Sequence, residues 1–177
     1  MIKILIGVAI AAIVVIGAFL VLDPSIGITR TGDPITEVAE TFSVAVEGAV
    51  YKSGSYTLKD GATMLDLLDA AGGVTSQADP RAYYEEAVLT KGMTYYIASK
   101  FDASDLCNSE EILKANVNTD DAETMSQVDG LTLTLANYII TYREEHGYFS
   151  TLEQLQEVYR IGEATYKKIR NYVILHA

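Results

Sequence analysis

Two short turns near the C-terminal end carry residue types suited to holding an anion. Gly130-Leu131-Thr132 and Arg160-Ile161-Gly162 stand thirty residues apart, and a run with helical spacing follows each. Glycine lets backbone N–H groups come close to a negatively charged oxygen without a Cβ in the way. A helix beginning at such a turn adds the positive end of its dipole. Thr134 follows the first turn, and Lys167, Lys168 and Arg170 follow the second, alongside Arg160 in the turn itself. Cations placed there add a salt-dependent attraction with a reach of about 8 Å at physiological ionic strength. Turn geometry alone and a solvated helix face are the plainer readings of the same glycines and basic residues.

Other chemistries find no support. No nucleophile–base signature, HExxH pair or Gly-rich strand-to-helix loop occurs, so the chain reads as a non-enzyme. Cys107 is the single cysteine and no Cys/His cluster has zinc spacing, which leaves no metal or cofactor to expect. Formal net charge is -11. Nucleic-acid binders are usually basic, so any DNA reading must rest on local geometry.

The elements that would position the two turns can be read from an internal repeat. Shifted by thirty residues, Met125 falls on Leu155, Val128 on Val158, Gly130 on Arg160, Leu131 on Ile161, Thr132 on Gly162 and Ile139 on Ile169. Each copy reads as a short helix, a tight turn and a longer helix, giving a four-helix core over 115–177. Asp121 is placed to cap the first helix, and Ser150 with Glu153 forms a capping box for the third. The second helix spans about Leu133 to His146 and stops at Gly147. Ile169, Tyr172 and Val173 give the last helix its apolar face. Asn118 reads as a turn or cap residue, and His146 as a cation at a helix end.

Upstream, residues 42–98 alternate as a hairpin through Phe42, Val44, Val46, Tyr56 and Leu58, with turns at Ser53-Gly54 and Asp60-Gly61. Thr63 caps a helix whose Met64, Leu67, Leu68 and Ala71 share one face. Gly72-Gly73 stops it, and a last strand covers Met93 to Ala98. This order suggests a β-grasp and an α+β chain. The Tyr83-Tyr84 and Tyr95-Tyr96 pairs read as core or half-buried residues.

Ile4 to Leu22 is nineteen residues without a charge, about 28 Å as a helix and close to the hydrocarbon thickness. It reads as an N-terminal transmembrane anchor, with Lys3 keeping the amino terminus cytoplasmic and residue 23 onward outside. A cleaved signal peptide is the alternative; the run is long for one and ends on bulky residues. Residues 23–41 and 99–114 read as linkers.

Two resemblances sharpen this organisation. The string from Val44 to Asp79 is similar to the SLBB domain at Val46, Gly48, Val50, Gly54, Tyr56, Gly61, Asp66, Ala70 to Gly73, Ala78 and Asp79, and Lys91 to Ala98 resembles that family's last strand. Asn116 to Val173 resembles the helix-hairpin-helix domain of ComEA-like competence DNA receptors, through Asn116, Asn118 and Thr119, through Tyr142 to Gly147 with Phe149, and through Leu152, Leu155 and Val158. The order anchor, SLBB, helix-hairpin-helix is also theirs.

The resemblance implies a membrane-anchored, extracytoplasmic protein of a Gram-positive bacterium that holds double-stranded DNA without reading sequence. It also implies self-association through the SLBB-like unit and DNA-uptake channel or pilus components as partners. Phosphate contacts fall on Gly130, Leu131, Thr132, Thr134, Arg160, Ile161, Gly162, Lys167, Lys168 and Arg170. The family turn is Gly-hydrophobic-Gly, and each copy here keeps one glycine. Asp129 adds a carboxylate beside the first turn. Residues 115–177 hold nine acidic against five basic residues, net -4, with Arg160, Lys167, Lys168 and Arg170 all in the second copy. The expectation is an asymmetric grip centred on the second hairpin. The alternative is an acidic envelope module for protein interaction that no longer binds DNA.

Overall fold

Alternation places Phe42, Val44 and Val46 on one buried face of β1 (Thr41–Gly48). β1 pairs antiparallel with β2 (Gly54–Lys59) and parallel with β3 (Thr94–Ile97), so the sheet order is β2-β1-β3. Gly48 ends β1 at φ +92, where an added Cβ would lie 2.2 Å from the Ile97 carbonyl oxygen. Only glycine allows that approach of β1 to β3. α1 (Met64–Ala70) begins at Thr63, whose N–H donates to Asp66 Oδ2 at 2.8 Å in a capping box. Met64, Leu67, Leu68 and Ala71 pack beneath the sheet as the helical period requires.

The structure is a computed structural model describing residues 40–101 and 111–177. The apolar run 4–22 and Cys107 lie outside these residues. Among the described residues no helix is long and apolar enough to cross a membrane.

The C-terminal half has its own core. α2 (Ala122–Met125) starts at Asp121, whose side chain accepts from Thr124 N. α3 (Leu133–His146) follows the first turn. A 3-10 segment, Leu152–Glu157, takes the place of the expected third helix, and α4 (Glu163–Ile169) follows the second turn. Met125, Val128, Leu131, Ile139, Leu155, Val158, Ile161 and Ile169 are all buried in one cluster, so every apolar repeat position faces inward.

Three expectations are corrected. The last helix does not reach Tyr172 and Val173: Val173–Ile174 is a short strand, β5, paired in parallel with β4 (Ala115–Asn116). The β-branched Val173 and Ile174 suit a strand, and with Leu175 after them they are buried in the core. The second copy does not repeat the short-then-long pattern of the first, for its 3-10 segment has 6 residues and α4 has 7, half the 14 of α3. The capping box sits one residue later than read, with Thr151 as cap and Gln154 as partner.

The two halves pack as one compact unit. Glu153 Oε1 accepts from Tyr96 N, Asn171 Oδ1 accepts from Ser99 N, and Leu175 N donates to the Arg81 carbonyl. The described ends of the 99–114 segment, expected as a linker, carry fixed partners. Lys114 Nζ donates to the Ser99 carbonyl and pairs with the buried Asp79 at 3.0 Å. Burial alone would raise the Asp79 carboxyl; the Arg81 and Lys114 hydrogen bonds outweigh it and hold it at about 2.

Candidate nucleic-acid interface

The thirty-residue repeat survives in the backbone even where its residue types do not. Gly130 opens the first turn at φ +84. Arg160, its counterpart, keeps the same left-handed region at φ 66, the one non-glycine among the described residues with positive φ. Leu131 N donates to the Val128 carbonyl, and Ile161 N donates to the Val158 carbonyl. Thr132 caps α3 through Leu135 N, while its counterpart Gly162 is the N-cap of α4 without a side-chain bond. Both turns are therefore built alike, and the first amides of each helix point outward for want of an intrahelical acceptor.

The side chains divide by role. Leu131 and Ile161 are core residues and offer only backbone atoms to a partner. Gly130, Thr132, Thr134, Arg160, Gly162, Lys167 and Lys168 are exposed. The basic residues of the second copy do not form one patch. Lys167 pairs with Glu163 at 2.6 Å within α4. Arg170 turns to the β-sheet half, where its guanidinium lies 3.7 Å over the Tyr96 ring and 3.5 Å from Glu47. Arg160 stays at the turn, 5.4 Å over the exposed Tyr159 ring. Asp129 is exposed beside Gly130, and Glu163 stands in the first turn of α4, so each turn has one carboxylate near it.

The residue sequence reasoning misread is Glu153. It is 2% exposed, and its Oε1 accepts from Tyr96 N and from Tyr166 OH, each at 2.8 Å. Burial pushes its carboxyl up from the ordinary value against those hydrogen bonds, and burial together with Glu153 pushes the Tyr166 phenol up. A signal existed: Glu153 sits between Leu152 and Leu155, with Gln154 free to serve the cap. Asn118 is also deeper than a cap. Its Nδ2 donates to the Phe149 and Leu175 carbonyls, and its Oδ1 accepts from Phe149 N. Arg143 donates to the Val117 and Asp120 carbonyls, and so is occupied by the fold. Among the described residues, no group of three or more His, Cys, Asp or Glu is placed to hold a metal ion.

Comparison with known proteins follows the same division. The SLBB domain family matches residues 43–97, and the family described as helix-hairpin-helix motif matches residues 110–174. ComE operon protein 1 of Bacillus subtilis is 29% identical over 146 residues, covering 77% of this chain and 71% of that protein. An uncharacterized protein of Haemophilus influenzae is 44% identical over 62 residues, 34% of this chain and 55% of its own length. Transcriptional accessory protein Tex of Neisseria gonorrhoeae is 34% identical over 58 residues, 33% of this chain but 8% of its own. Both matched domains are binding modules and not enzymes.

Proposed function

With an SLBB domain and a helix-hairpin-helix motif in one ComEA-like chain as the premise, we propose a sequence-independent DNA receptor of the competence type. Its two hairpins hold backbone phosphates of a duplex, and its SLBB domain supports self-association. The apolar run from Ile4 to Leu22 anchors it in the cell membrane, with the N-terminus cytoplasmic and both domains outside, facing DNA-uptake channel or pilus components. The Bacillus subtilis relative supports the competence setting through its place in a ComE operon.

The observation that carries the reading is the backbone match of the two turns. Arg160 holds a left-handed conformation that costs about 1 kcal/mol for a non-glycine residue. A turn kept at that cost is one whose amide directions matter. Contacts of this kind touch phosphate and not base edges, so affinity should depend on salt and not on sequence.

The test is a salt titration of the full chain against two duplexes of unrelated sequence. Equal affinities are expected, with a negative slope of log K on log salt of about 0.9 for each phosphate neutralised. Arg160→Glu together with Lys168→Glu, at the second copy's two exposed cations that no carboxylate pairs among the described residues, should abolish binding. A folded chain that binds neither duplex at low salt would sink the proposal. That result would leave the second reading, an acidic protein-interaction module, which the net charge of -11 and Asp129 favour.

A further inference from the structure

We propose that Lys168 serves the first hairpin and not its own, so that the domain has two phosphate sites with one cation each. This rests on the DNA reading above and changes how that reading distributes the grip.

The geometry starts at Gly130. A methyl group built there would lie 3.0 Å from Ile169 Cγ2 and 3.8 Å from Lys168 Cβ. The Lys168 stem thus leaves α4 beside the first turn, although it is thirty-eight residues away in sequence. Its exposed four-carbon stem carries a compact ammonium with rotatable donors, well suited to a phosphate held at Gly130–Thr132. The same packing recurs in the other direction. Tyr138, the thirty-residue counterpart of Lys168 on α3, meets Tyr159 at the second turn edge-on, with ring centroids 5.0 Å apart. So the helix after each turn crosses to the tip of the opposite hairpin.

The crossing decides where charge goes. The first turn lacks a cation of its own and has Asp129, but receives Lys168 from α4. The second turn receives an uncharged tyrosine from α3 and carries its own Arg160. Lys167 is paired with Glu163, and Arg170 with Glu47 and the Tyr96 ring, so neither serves either turn without breaking a contact. The basic residues gathered in the second copy by sequence are shared between the copies in space.

A double-mutant cycle separates the assignments. Thr132→Asp and Gly162→Asp place a carboxylate at the same point of each turn. Asp is a favoured N-cap, and a Cβ at Gly162 meets nothing within 4 Å, so both variants keep their helices. Affinity of the full chain for a fluorescein-labelled duplex is the readout, with circular dichroism to confirm folding. Lys168→Gln should weaken the wild type about fivefold and lower the salt slope by about 1. It should do the same in Gly162→Asp, yet cost under about twofold in Thr132→Asp, where the first site is already closed. Arg160→Gly should show the reverse pattern. A Lys168→Gln effect that persists in Thr132→Asp and vanishes in Gly162→Asp returns the lysine to its own hairpin and overturns the inference. A neutral Lys168→Gln in a chain that binds DNA also overturns it. A folded wild type without DNA affinity fails earlier, at the DNA reading itself.

Discussion

At the scale of the residue, Arg160 shows how a motif changes its letters and keeps its shape. The loss of the first glycine of the second turn is plain from the sequence, and it reads there as damage. The backbone says otherwise, because φ 66 preserves the turn that Gly130 makes at φ +84. The letters of the turn do not show this, while the buried Val158 and Ile161 that flank it are joined by the Ile161 N–H to the Val158 carbonyl as in the first turn. Arg160→Gly therefore separates strain from charge. The variant should gain about 1 kcal/mol in urea unfolding, because glycine takes that conformation freely. Its salt slope for DNA should fall by about 1, because one phosphate partner is gone. A loss of stability instead would mean that the guanidinium over Tyr159 outweighs the strain.

At the scale of the element, the repeat was legible wherever apolar periodicity set the answer. Its six aligned pairs name the turns and the inward positions, and α3 matches its expected span. The second copy departs because its neighbours differ. Its first helix tightens to a 3-10 segment around an inward Glu153, and its last turn gives way to β5 beside β4. Those outcomes depend on residues far away in sequence, which periodicity does not contain. Asn118 is the clip that fixes this closure, joining the β4 end to Phe149 and to Leu175 through three hydrogen bonds. Asn118→Ala should destabilise by about 3 kcal/mol, since three buried backbone groups lose their partner. Asn118→Asp is the sharper probe. It keeps the acceptor for Phe149 N but sets a carboxylate against two carbonyl oxygens, so it should destabilise more as pH rises through the carboxylate range. Equal urea midpoints for wild type and both variants would remove Asn118 from this role.

At the scale of the molecule, residues 42–98 and 115–177 read in sequence as two domains with a linker between them, and contacts far apart in sequence join them closely. Tyr96 is the meeting point: its N–H donates to Glu153, and its ring lies under Arg170. A buried carboxylate shared between halves couples their stability to pH, and the sign follows from burial. Glu153 titrates above its ordinary value of 4.5 in the folded chain, so the folded state holds that proton more tightly than the unfolded one. Its contribution is full below about 4.5 and is lost as pH rises through the folded value. Glu153→Gln keeps an acceptor for Tyr96 N and offers its amide to the Tyr166 oxygen, without a buried charge. The variant should match wild type near pH 4.5 and exceed it by about 1 kcal/mol at pH 7, where the wild-type charge must be held in the interior. Glu153→Ala should lose about 3 kcal/mol at either pH, because two buried donors are stranded. In all three chains, urea unfolding followed by far-ultraviolet dichroism and by tyrosine fluorescence should give one transition, since the shared contacts make the halves unfold together. Two separated transitions in the wild type, or a Gln-minus-Glu difference that stays flat from pH 4.5 to 7, would show that Glu153 does not couple them.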